Sequence, residues 1–174
     1  MLTTNQKGAI AETGIAHQAV RLGIEVYRPI FEGGRYDLIF GVSDLLFRVQ
    51  CKWAARHGDV IPVRCYSARR SASGLLKRSY TPAEVDLIVA YCPDLDSCYV
   101  LPLDLFGTRS EVQLRLAPTR NNQRARIHWA SDFALERLDL ILKQGAIAQL
   151  GERGAGSAEV AGSSPAGSIP LSSL

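Results

Sequence analysis

The stretch that decides the fold is YDLIFGVSDLLFRVQCKW, Tyr36 to Trp53. Its second half alternates: Phe47, Val49, Cys51 and Trp53 fall on one face of an extended chain, and Arg48, Gln50 and Lys52 on the other. Successive strand side chains point to opposite sides, so this pattern reads as a strand. The first half behaves likewise, with Tyr36, Leu38 and Phe40 on an apolar face and Asp37 opposite them. A turn at Gly41 to Asp44 joins the halves into a hairpin. With that turn Asp37 falls across from Arg48 and diagonal to Gln50, so an acid, an amide and an ammonium group share one polar face.

Upstream, residues 4–22 have helical periodicity, with Thr3 or Thr4 able to cap the start and Gly23 following the end. Glu12 shares a helix face with Gly8, Ile15, Ala16 and Ala19, whose small side chains suit close packing on a sheet. A carboxylate on such a face needs a partner or a metal, and it is aimed at the cluster around Asp37. EVYRPI, residues 25–30, reads as a strand before the EGGR turn.

Downstream, residues 60–66 form a fourth candidate strand, and residues 67–80 read as a loop or insertion of a length that is uncommon unless functional. DLIVAY, residues 86–91, has the unbroken apolar character of a buried strand, with residues 98–102 as its hairpin partner. One helical turn at 103–106, a strand at 112–116 and a closing helix over 130–142 complete an α/β pattern.

Between Asp59 and Glu84 there are no acids, while Arg64, Arg69, Arg70, Lys77 and Arg78 supply positive charge. Arg109, Arg115, Arg120, Arg124 and Arg126 form a second basic stretch, although the net charge is only +3. Such segments suit phosphate contacts that carry no sequence information; a solvated surface is the plainer reading.

The 174 residues, 47% hydrophobic, suffice for one core, so one domain over 1–143 and a tail over 144–174 are expected. No membrane span or signal peptide is visible, which makes a cytoplasmic location the default. The four cysteines form no CxxC pair and have no histidines at zinc-finger spacing, so neither a zinc site nor a disulfide is expected; Cys92 and Cys98 are the pair that a hairpin could bring together. The tail turns to Gly, Ala and Ser, a composition expected to be disordered. Read back into DNA with permitted codons, AIAQLGER (146–153) gives GCG ATA GCT CAG TTG GGA GAG CGN, which resembles a tRNA D-arm, and GSSP (162–165) gives GGT TCG AGT CCN, which resembles a T-loop. The expectation is a reading frame that continues in-frame through a tRNA gene.

KGAIAE (7–12), then Tyr36-Asp37-Leu38-Ile39, then RVQCK (48–52) resembles the PD-(D/E)XK endonuclease group that includes a bacterial homing endonuclease and, more distantly, Holliday-junction resolvases. The order is helix glutamate, hairpin aspartate and an x-K dyad on the next strand, and the likeness extends over most of residues 7–133. It implies a restriction-endonuclease-like core, a central mixed sheet flanked by helices, in an enzyme that hydrolyses DNA phosphodiesters with Mg²⁺ or Mn²⁺. Asp37, Glu12 and the backbone carbonyl of Cys51 would be metal ligands, Gln50 and Lys52 the remaining catalytic positions, and Arg48, Arg64, Arg69, Arg70, Lys77 and Arg78 the DNA clamp. Gln50 stands where most of the group has Asp or Glu; homing members are similar in using Gln there. DNA is the implied partner, and a homo-oligomer is compatible because homing members act as symmetric assemblies. Two other readings stay open: a catalytically silent DNA-binding module with this fold, and an unrelated α/β interaction protein in which Asp37 and Lys52 form a surface ion pair.

Overall fold

The computed structural model describes residues 1–31, 33–71, 74–107, 109–118 and 127–144, and for 69–71 the backbone alone. The hairpin is built by β2 (Leu38–Val42) and β3 (Leu45–Trp53), paired from Val42↔Leu45 to Leu38↔Val49. The turn has two residues, Ser43 and Asp44, at φ 46° and 52°. Positive φ at both central positions is what a type I′ turn needs, and its twist matches that of the strands it joins. This turn is tighter than the Gly41–Asp44 turn expected from sequence, and the register moves by two residues. Ile39 therefore faces Arg48, and the same register continued places Asp37 opposite Gln50. A one-residue slip would have exchanged the faces; a two-residue slip leaves them as they were.

Helix α1 (Thr4–Arg21) opens with a capping box, in which the Thr3 hydroxyl accepts from the Gln6 amide and the Gln6 side chain accepts from the Thr3 amide. It closes through Gly23 at φ 78°, with Gly23 N–H donating to Val20 O and Ile24 N–H to Ala19 O, both at 3.0 Å. These are the two bonds of a Schellman motif. The buried stripe is Ala11, Ile15 and Ala19. Glu12 lies one position off it, at the margin of the packed face.

Five strands form the central sheet in the order β1-β2-β3-β7-β8, with β1 at Glu25–Tyr27, β7 at Leu87–Cys92 and β8 at Ser97–Pro102. β3 and β7 are parallel and the other neighbours antiparallel, so the sheet is mixed. One face carries Leu38, Phe40, Val49, Cys51 and Val89, packed with Ile15 and Ala19 of α1 and with Leu138 and Ile141 of the helical stretch 138–144. The other face, with Ile88, Ala90 and Leu101, packs on a small sheet of β4 (Val60–Arg64), β9 (Glu111–Arg115) and β10 (His128–Trp129), and on Leu103 and Phe106 of the short helix α2 (Leu103–Phe106). Burying both faces explains why β7 reads as an unbroken apolar run.

Three expectations change. The first strand stops at Tyr27, two residues before Pro29, which has no amide to continue a ladder. Residues 67–80 are chiefly a hairpin, β5 (Tyr66–Ser71) with β6 (Gly74–Ser79), forming a separate two-stranded sheet. β6 is exposed throughout, so neither of its faces needs apolar residues and the sequence shows no alternation there. The closing helix is broken: Ala130–Phe133 and Leu135–Arg137 are 3₁₀ turns, and Ala134 between them is extended because it bridges to Tyr99 of β8. All four cysteines are buried and free, and Cys92 faces Ser97 across the hairpin, not Cys98. No helix among the described residues is long and apolar enough to cross a membrane. The expected tail lies almost wholly outside the described residues, from 145 onward.

Candidate active site

Asp37 sits just beyond the last register pair of β2. Its amide donates to Val49 O at 2.8 Å, and its carboxylate accepts the Cys51 amide at 2.8 Å. The carboxylate thus takes up a β3 donor that the shortened β2 no longer reaches. Gln50 donates its side-chain amide to the same Asp37 oxygen and, at 3.4 Å, to the Cys51 carbonyl. Burial pushes the Asp37 carboxyl above the usual carboxylate value, outweighing the downward pull of the Cys51 amide, the Lys52 charge and the Gln50 amide.

Lys52 extends from the same face of β3. Its ammonium donates to the Tyr80 hydroxyl at 2.7 Å and to Tyr66 O at 3.2 Å, and it lies 4.8 Å from the centroid of the Tyr80 ring. Burial lowers Lys52 from the ordinary lysine value, although the charge of Asp37 opposes that shift. The Tyr80 hydroxyl is pushed up to about 12, first by burial and then by Asp37, so it is a neutral partner for the ammonium. Tyr80 also carries Arg35 on its ring at 4.6 Å.

Glu12 approaches from the helix side. It lines one cleft of about 660 Å³ with Asp37, Arg28, Thr13, Phe31 and Tyr36, and pairs with Arg28 at 2.8 Å. The geometry divides the sequence-derived constellation. Asp37 touches Gln50 directly, Lys52 interacts with it through charge, and Glu12 shares its cleft from the opposite face of the sheet. Asp37 at the strand end is the point where the two faces meet.

The structure gives the expected basic residues diverse surroundings. Arg48 is committed to Asp86 in a 2.7 Å ion pair, and it donates to the carbonyls of Pro82, at 2.8 Å, and Ala83. This holds the approach to β7, and it leaves Arg48 less suited to a phosphate than the sequence suggests. Arg78 pairs with Glu84, which also accepts Arg35 at 3.1 Å, while the Lys77 ammonium lies 5.0 Å from the Tyr66 ring centroid. Arg64 is exposed at the end of β4. The side chains of Arg69 and Arg70 lie outside the described residues, as do Arg120, Arg124 and Arg126. Arg28, Arg35 and Tyr80 were missed in the sequence. The two arginines flank the turn that leads into Asp37, a position that could have drawn notice; Tyr80 ends the segment read as a loop and carried no such signal.

Among the described residues no three Asp, Glu, His or Cys side chains converge as a metal cage. The donor set present is two carboxylates and a backbone carbonyl. The Asp37 oxygen and the Cys51 carbonyl both accept from the Gln50 side-chain amide. Hard oxygen donors in small number fit Mg²⁺, which keeps several waters, and do not fit a structural zinc site.

Residues 2–136 match the family profile of PD-(D/E)XK endonucleases. Among solved structures the chain is similar to a bacterial homing endonuclease, with a TM-score of 0.67 and 27% identity over 85% of this chain and 99% of that one. No curated protein matches the sequence. The matched profile spans well over half of the chain, and its fold is the mixed sheet described above; the chain belongs to the PD-(D/E)XK endonuclease family.

Proposed function

We propose that the protein is a divalent-metal-dependent DNA endonuclease whose site is formed by Asp37, Glu12, Gln50, Lys52 and the carbonyl of Cys51. The observation that carries this reading is the setting of Asp37: a half-buried carboxylate, held by a strand amide and the Gln50 side chain, beside a half-buried lysine whose ammonium is fixed by Tyr80 and Tyr66. Asp37, Glu12 and the Cys51 carbonyl would hold the ion. When bound, Mg²⁺ or Mn²⁺ supplies charge neutralisation at a phosphate and a more acidic water.

The remaining work falls to this chain's own groups. Lys52, fixed by Tyr80 and Tyr66, presents its ammonium toward the charge that develops on the phosphate oxygens and orients the attacking water. Gln50 holds Asp37 and the Cys51 carbonyl in one orientation. Lys77, Arg64 and, from the sequence, Arg69 and Arg70 belong to the segment that would follow the DNA backbone, whereas Arg48 and Arg78 would contribute only after leaving their carboxylate partners.

The test is Mg²⁺-dependent nicking of supercoiled plasmid DNA. Wild type should cleave, and Asp37→Ala and Lys52→Ala should each lose about 100-fold or more. Equal rates for all three would remove the assignment. A second reading, a DNA-binding module without catalysis, is favoured by one observation: with Gln50 in place of an acid, the side-chain set holds two carboxylates and no third anionic ligand. Wild type that binds plasmid DNA with a steep salt dependence but never nicks it would establish that reading.

A further inference from the structure

Among the described residues, the charged side chains that line the cleft are the carboxylates of Glu12 and Asp37 and the guanidinium of Arg28. The Arg28 guanidinium lies 2.8 Å from Glu12 Oε2, and its charge is also felt at Asp37, where it pulls the carboxyl downward. Its side chain is 66% exposed while that of Glu12 is 29% exposed. The pair therefore joins a sheltered acid to a long arm that reaches in from the surface. Arg28 stands between the end of β1 and Pro29, which restricts the backbone of the residue before it. An ion pair exposed to this extent is weakly held and is readily exchanged for a stronger cation.

We infer that Arg28 is an exchangeable counter-ion of the proposed metal site: it neutralises Glu12 until a divalent cation takes that carboxylate, and the released guanidinium then turns to a phosphate of the nucleic acid at the cleft mouth. The inference rests on the function proposed above. Two properties of the chain support it. Arg28 is the positively charged side chain among the described residues that line the cleft, and it is already paired with Glu12 there. A guanidinium also offers a planar fork of donors that suits carboxylate and phosphate equally well, which lets one residue serve both partners.

The consequence is a pair of effects with opposite signs. Removal of Arg28 should improve metal binding, because a competing cation is gone, and should weaken binding of DNA, because a phosphate contact is gone. A residue that merely supported the fold would weaken both. Mn²⁺ binding to the full chain, read by the electron paramagnetic resonance of the free ion, should tighten roughly three- to tenfold in Arg28→Ala. Arg28→Gln, which keeps the side-chain length, should behave the same way. Arg21→Ala removes the same charge at a position about 13 Å along α1 from Glu12 and should leave the affinity unchanged. In a Glu12→Gln background Arg28→Ala should bring no improvement. In Ca²⁺, anisotropy of a labelled duplex across a salt series should show Arg28→Ala binding more weakly, with a log–log slope shallower by about one.

Unchanged or weaker Mn²⁺ binding in both Arg28 variants overturns the inference, as does equal tightening in Arg21→Ala or an unchanged DNA slope. The proposed function fails separately: if Asp37→Ala binds Mn²⁺ as tightly as wild type, the metal site is not at Asp37, whatever Arg28 does.

Discussion

Asp37 is the centre of the proposed site, and its environment carries a stability consequence. Burial raises its folded-state value above the ordinary 3.8. A carboxyl with a raised value binds its proton more tightly when folded, so its contribution is fully present below pH 3.8 and is lost as pH rises through the folded value. Asp37→Asn removes the charge while keeping an oxygen for the Cys51 amide. It should therefore raise the Tm at neutral pH, by an amount that vanishes toward acid, while nicking activity is lost. Thermal unfolding of both proteins across pH 3 to 8 checks this, and a constant difference at all pH values would contradict it. Lys52 has the mirror arrangement: burial disfavours its charge, and Tyr80 and the Tyr66 carbonyl offset part of the penalty.

The β2–β3 hairpin is the element on which the site depends, since its register decides which side chains meet Asp37. Ser43 and Asp44 carry the turn at positive φ, which side chains other than Gly, Asn and Asp adopt reluctantly. Ser43→Asn with Asp44→Gly, the preferred type I′ pair, should stabilise the protein by about 0.5–1 kcal/mol without changing nicking. Urea unfolding at constant m-value would show it, and a loss of stability would mean that the turn is not of this type. The neighbouring loop from Arg28 to Arg35 brings a cation to each side of the site: Arg28 on the Glu12 side, Arg35 on the Tyr80 side.

At the scale of the whole molecule, α1 and the helical stretch 138–144 cover one face of the central sheet, and the small sheet covers the other. Leu138 and Ile141 belong to the α1-side core, so the helical stretch 138–144 is part of the packed structure. The composition beyond that point predicts that a chain ending at Gln144 keeps the Tm and nicking activity of the full-length protein, whereas a chain ending at Arg137 should unfold far more readily, having lost two buried aliphatic residues at about 2–5 kcal/mol each. Equal Tm for the longer and the full chains is the result to look for; a marked drop would give the tail a structural role. The coding DNA decides the origin of the tail, since codons that fold into a cloverleaf are required by a frame crossing a tRNA gene.

Local chemistry determined much of this in advance. Alternation in YDLIFGVSDLLFRVQCKW selected strands and put Asp37, Gln50 and Lys52 on one face, because side-chain direction in a strand depends only on parity. The cap of α1 and the buried run of β7 were legible for similar reasons: each depends on residues within a few positions of one another. Only the tertiary structure decided that Ile39 faces Arg48, that Glu12 enters the cleft from the other side of the sheet, that Arg48 is bound to Asp86, and that Arg28 and Tyr80 stand beside the two key charges. Those relations join residues far apart in the chain, and they follow from turn geometry and packing, to which the periodicity of a single segment is blind.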